Sequence, residues 1–132
     1  GGVLGLSLIS VLLDYDSIII LNTSSETEAQ AGTIFVQTQE EFLESLTLKK
    51  TVNELEIAQM LQVCSLSQKS AEIRFVSMVP EDIVSTEIGL SISIKERWEK
   101  YVYAIIKQIE SCGILVQKRE KGLTLDEVVS LF

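Results

Sequence analysis

The candidates for chemistry in this chain are one run of short polar side chains and three pairs of carboxylates. Asn22, Thr23, Ser24 and Ser25 follow the β-branched run "SIIIL" (17–21). Open α/β sheets bind their ligands just beyond the carboxyl ends of their strands, so this run stands where chemistry is expected. Asp14 and Asp16 flank Tyr15, Glu26 and Glu28 lie in the loop after the polar run, and Glu81 and Asp82 follow the only proline. Paired acids do acid–base work when one pKa is raised. Asp14 and Asp16 sit at the amino end of their strand, away from the crevice, and read as solvated helix-terminal charges. Glu26 and Glu28 are the carboxylates best placed to supply a ligand, against the default of a solvated acidic loop. Glu81 and Asp82 also sit at a strand's carboxyl end.

Composition removes several mechanisms. The 132 residues include no histidine, the commonest general base and the commonest ligand for nickel, zinc or iron. Ser-His-Asp and Cys-His chemistry are excluded with it, and an enzyme built from this chain must use carboxylates, lysine or tyrosine. Cys64 and Cys112 are too few for a disulfide framework or a zinc cluster and read as reduced cytosolic thiols. Net charge is −8, which repels phosphate backbones, so no nucleic-acid partner is expected. No apolar run reaches the roughly 18 residues that span a bilayer. "GGVLGLSLISVLLDYD" has neither a basic n-region nor a small-residue cleavage site, which predicts no signal peptide and a cytoplasmic protein.

The elements that must position these residues alternate in type. Residues 4–13 are too densely apolar for strict alternation and suit a short helix ending at "DYD" as well as a strand. "SIIIL" is of buried-strand type, and "TIFVQTQ" (33–39), entered through Gly32, is a second strand. "EEFLESL" starts a short acidic helix or turn. Val52, Leu55, Ile57-Ala58, Leu61 and Cys64 recur at helical spacing over 51–66, and "AEIRFVSMVP" (71–80) is a third strand. The longest helix spans 93–113, striped by Ile94, Trp98, Tyr101-Val102, Ile105-Ile106 and Ile109, with Gly113 as its C′ residue. "ILVQKRE" predicts a last strand and "TLDEVVSLF" a terminal helix capped by Thr124. The class is α/β: a single three-layer domain over 1–132, its twisted, mostly parallel sheet flanked by helices.

Trp98 and Tyr101 share the apolar stripe and read as core, with Tyr103 on the same helix. The basic run "QKREKG" (117–122) reads as a solvated hairpin or strand edge, where lysine protects against edge pairing; a patch for an acidic partner is its functional alternative. "KKTVNELEIAQMLQVCSLSQ" and "IIKQIESCGILVQKREKG" superficially resemble a helix-turn-helix and a wing. A winged-helix transcriptional regulator is thus a rival reading, opposed by the two extended segments before residue 40 and by the negative charge.

Five motifs together resemble the NiFe-hydrogenase maturation endopeptidases, which process the carboxyl terminus of the hydrogenase large subunit. Gly1-Gly2, Gly5-Leu6-Ser7-Leu8-Ile9, Ile20-Leu21-Asn22-Thr23 and Ala31-Gly32-Thr33 follow the family's Gly-Gly, Gly-Leu-x-Leu-Leu, Val-Asp-Ala and Pro-Gly-Thr in order and at nearly the same spacings. Thr51-Val52-Asn53-Glu54-Leu55-Glu56-Ile57 is similar to the family's Ser-Leu-His-Glu-Leu-Gly-Leu. A strand ending in Pro80 and then Gly89-Leu90-Ser91 also have family counterparts. The resemblance covers residues 1–112, and 113–132 stand as a C-terminal extension.

The resemblance implies a twisted, mostly parallel sheet and a protein that recognises the nickel-loaded large-subunit precursor and clips its C-terminal tail. It implies nickel sensing by an acidic residue, an Asp and a His at the carboxyl edge of the sheet, a ligand set suited to a borderline metal. The Asp position is Asn22 here and the His position Asn53. The third ligand follows the family's first strand, for which 1–132 offer no counterpart. A further loop carboxylate becomes Ser25 or, with a slip of one residue, Glu26. An amide oxygen is a neutral, weak donor, adequate for calcium and poor for nickel. The expectation is therefore no intrinsic cofactor, nickel arriving only with the substrate, and Thr23, Ser24 and Ser25 beside it as substrate-binding residues. A catalytically impaired relative that binds the precursor is the alternative. Because the family's first strand sits centrally, "ILVQKRE" is expected to pair in the sheet in its place.

Overall fold

The computed structural model describes residues 5–24, 29–46, 52–67, 71–81 and 92–131. A 3-10 turn, Gly5–Leu8, leads into α1 (Ile9–Asp14), so the dense apolar run at the start is helical. Three strands follow the alternation of the sequence: β1 (Ser17–Thr23), β2 (Ile34–Thr38) and β3 (Glu72–Met78). Between them lie α2 (Gln39–Glu44) and α3 (Val52–Ser65), and after them α4 (Ile92–Ser111) and α5 (Leu125–Val129).

Sheet order is β1-β3-β2, with β3 in the middle. β1 runs parallel to β3 and pairs from Ser17↔Glu72 to Thr23↔Met78. β2 runs antiparallel to β3, from Ile34↔Met78 to Thr38↔Arg74, so of the two pairings one departs from the parallel arrangement expected. The cause is the length of segment 24–33: returning a chain to the other end of a sheet takes a crossover of about a dozen residues or more. The chain instead crosses the carboxyl edge and runs back.

Side-chain alternation along the strands sorts the layers. Ile73 and Phe75 of β3 pack with Leu12 of α1, Phe42 of α2 and Ile57, Met60 and Leu61 of α3, joined by the half-buried Ile18 and Ile20 of β1. On the opposite face the Tyr101 hydroxyl of α4 donates to the carbonyl of Val76 at 3.0 Å, and Arg74 Nη1 donates to Gln108 Oε1 at 3.2 Å. The result is helix, sheet, helix. α3 turns part of the expected stripe inward: Ile57 and Leu61 are buried and Ala58 and Cys64 half-buried, but Val52 and Leu55 are exposed and Glu54 and Met60 are buried in addition.

The expected strand at 114–120 does not form. Residues 114–119 have no regular structure, and Ile114, Leu115 and Val116 are all exposed. β3 is already flanked by β1 and β2, and β1 meets it along seven residue pairs, so the segment has no place beside β3, and it does not pair with the other edge of β1. "QKREKG" is solvated throughout, without a wing. Gly113 does end α4 as read, at φ +84°, a backbone conformation that favours glycine. Among the described residues β1 pairs on one side only. Beside it, Ile19 and Leu21 face Ile105 and Ile109 of α4 across a groove of about 300 Å³.

Candidate functional site at the carboxyl edge of the sheet

Because β1 and β3 are parallel, their carboxyl ends lie side by side. β1 extends two residues beyond Leu21, so Asn22 and Thr23 belong to the strand rather than to a turn after it. The half-buried Asn22 stands directly beside Ser77, which is 2% exposed. The Ser77 hydroxyl donates to Asn22 Oδ1 at 2.7 Å, and Asn22 Nδ2 donates to the Thr23 carbonyl at 3.2 Å. That second contact fixes which way the amide faces. Turned over, it would set Oδ1 against a carbonyl oxygen and leave two acceptors facing each other.

Backbone hydrogen bonds gather three segments at this edge. The Ser24 N–H donates to the Met78 carbonyl at 3.0 Å, and the Gly32 N–H to the Val79 carbonyl at 2.7 Å. The Val79 N–H donates to the Thr33 carbonyl at 2.9 Å. Gly32, at φ +83° and buried, is the residue type this turn into β2 requires. The edge therefore carries an amide, the hydroxyls of Thr23 and Ser24, and Glu81 beyond Pro80.

The other residues singled out in the sequence are distributed unevenly about it. Asp14 and Asp16 are exposed at the opposite end of β1, where the Asp16 carbonyl accepts from the Glu72 N–H at 2.8 Å. Ser25, Glu26, Glu28 and Asp82 lie outside the described residues, as does the side chain of Asn53. The backbone of Asn53 is the second residue of α3. Glu81 is exposed. Trp98 and Tyr101 are half-buried rather than core, neighbours with ring centroids 6.0 Å apart, and Tyr103 is exposed.

Two residues of interest escaped the sequence reading. Ser77 carries no motif; only its register opposite Asn22 reveals it. Glu54 is 4% exposed and is not without a partner, and only its place three residues before Ile57 hinted at the inward face. The donor set fits poorly with a nickel ion held by this chain. The sequence has no histidine, Asn22 already uses its oxygen on Ser77, and no group of three or more His, Cys, Asp or Glu side chains gathers among the described residues.

The fold is similar to the hydrogenase maturating endopeptidase HybD from E. coli, with a TM-score of 0.78 at 21% identity over 86% of this chain and 70% of that one. It is also similar to an endopeptidase from Escherichia coli solved in solution, with a TM-score of 0.71 at 19% identity over 86% and 70% of the two chains. A search of curated proteins finds no match. The family model of the hydrogenase maturation proteases (HycI) matches residues 1–108. With five motifs in register, the three-layer fold and that match over most of its length, the chain belongs to the hydrogenase maturation protease family.

Proposed function

We propose that this chain recognises the nickel-loaded precursor of a hydrogenase large subunit and cleaves its C-terminal tail, with the nickel belonging to the substrate. The match over residues 1–108 carries this reading. The carboxyl edge supports it, since amide and hydroxyl groups held on a rigid strand end suit the backbone of an extended peptide. Asn22 positions the tail in this reading, with Thr23, Ser24 and Ser25 beside it. The free cysteines Cys64 and Cys112 suit a reducing compartment, and we place the protein in the cytoplasm.

Recognition is tested by mixing the chain with nickel-loaded precursor and following the two by size-exclusion chromatography. Co-elution is the expected result. Separate elution at concentrations well above those of the cell would overturn the reading.

A further inference from the structure

We infer that Asn22, anchored by Ser77 and oriented by the Thr23 carbonyl, is a reader of peptide carbonyl oxygens rather than of metal. This rests on the functional reading above and assigns the chemistry of its central residue. Ser77 is buried on the middle strand, and its hydroxyl donates to Asn22 Oδ1 at 2.7 Å. The amide oxygen, the one side-chain atom of Asn22 able to bind a cation, is turned toward β3 and already accepts a hydrogen bond. The nitrogen end, with two N–H donors, faces the other way, and one of them goes to the Thr23 carbonyl at 3.2 Å. What this end offers a ligand is a donor. An extended peptide crossing the edge presents acceptors at every residue, and a nickel ion presents none. Ser77 is therefore a positioning residue: it touches no substrate and anchors the amide against β3, while the Thr23 carbonyl, which can only accept, sets its orientation.

The sign of a single substitution separates a carbonyl reader from a metal reader. Asn22→Asp keeps the shape and exchanges the donor end for a negative charge. Affinity would be measured by calorimetry for nickel-loaded and metal-free precursor, with thermal unfolding as a check on folding. If Asn22 reads a carbonyl, Asn22→Asp weakens both forms alike, by roughly tenfold, which corresponds to the loss of one hydrogen bond. Ser77→Ala weakens both forms, Ser77→Thr recovers binding by restoring the hydroxyl, and Ser77→Ala adds nothing in an Asn22→Ala background.

Tighter binding of the nickel-loaded form alone by Asn22→Asp would overturn the inference while leaving the functional reading intact. Unchanged binding of both forms by Asn22→Asp would overturn it too. Failure of the unaltered protein to bind either form would overturn both readings together.

Discussion

The ring of Phe42 lies flat on that of Phe75, with centroids 4.0 Å apart and planes 5° from parallel. One ring comes from α2 and the other from the middle strand, and both are almost completely buried. Phe42→Ala should cost about 3–5 kcal/mol, combining lost transfer energy with the cavity left behind. Chemical denaturation measures it, and Phe42→Leu should recover part of the loss.

Gly5 is the closest approach between the first turn and α3. A Cβ there would lie 2.8 Å from the backbone oxygen of Glu56, an atom held in a helix. Gly5→Ala should destabilise by about 1–3 kcal/mol through overpacking. Gly122→Ala meets nothing within 4 Å and serves as the control. Equal melting temperatures for the two variants would contradict the packing described.

Burial pushes the Tyr101 hydroxyl above its ordinary value of 10.0 and the Cys64 thiol above 9.0. The folded state holds both protons more tightly than the unfolded chain does. That preference is fully present below the unfolded values and is lost as pH rises through the folded ones. Stability should therefore fall from about pH 9 upward and further beyond pH 10. Tyr101→Phe loses the bond to Val76, lowers stability at neutral pH and removes the part of the decline that begins at pH 10. Denaturation midpoints across pH 7 to 11 give the comparison.

Two capping boxes differ in what they hold. Thr38 accepts from the Glu41 N–H at 3.2 Å and caps α2, which carries the buried Phe42. Thr124 accepts from the Glu127 N–H at 3.3 Å and caps α5, which buries no residue. Thr38→Ala should lower global stability by about 1 kcal/mol. Thr124→Ala should change local hydrogen exchange in α5 and leave the unfolding midpoint in place.

Local pattern made the helices and strands legible, and long-range pairing was what it missed. Ile18-Ile19-Ile20, the stripe of α4, Gly113 and Thr124 announce their elements through β-branching, periodicity, φ and cap chemistry. The direction of β2 depends on the length of segment 24–33, and whether 114–119 joins the sheet depends on which strand edges tertiary packing leaves open to it. Neither is local. The family and the position of Asn22 were read from ordered motifs, whereas Ser77 became visible only through the register of β1 on β3. The inward face of α3 was legible at Ile57 and Leu61 but not at Glu54 and Met60, because its apolar residues occupy more than one side.

The measurement closest to the central claim is mass spectrometry of nickel-loaded large-subunit precursor after incubation with this protein. Loss of a C-terminal peptide, reduced with Asn22→Asp, is the predicted result. An intact precursor that forms a stable complex with the protein would contradict proteolysis and leave a binding relative.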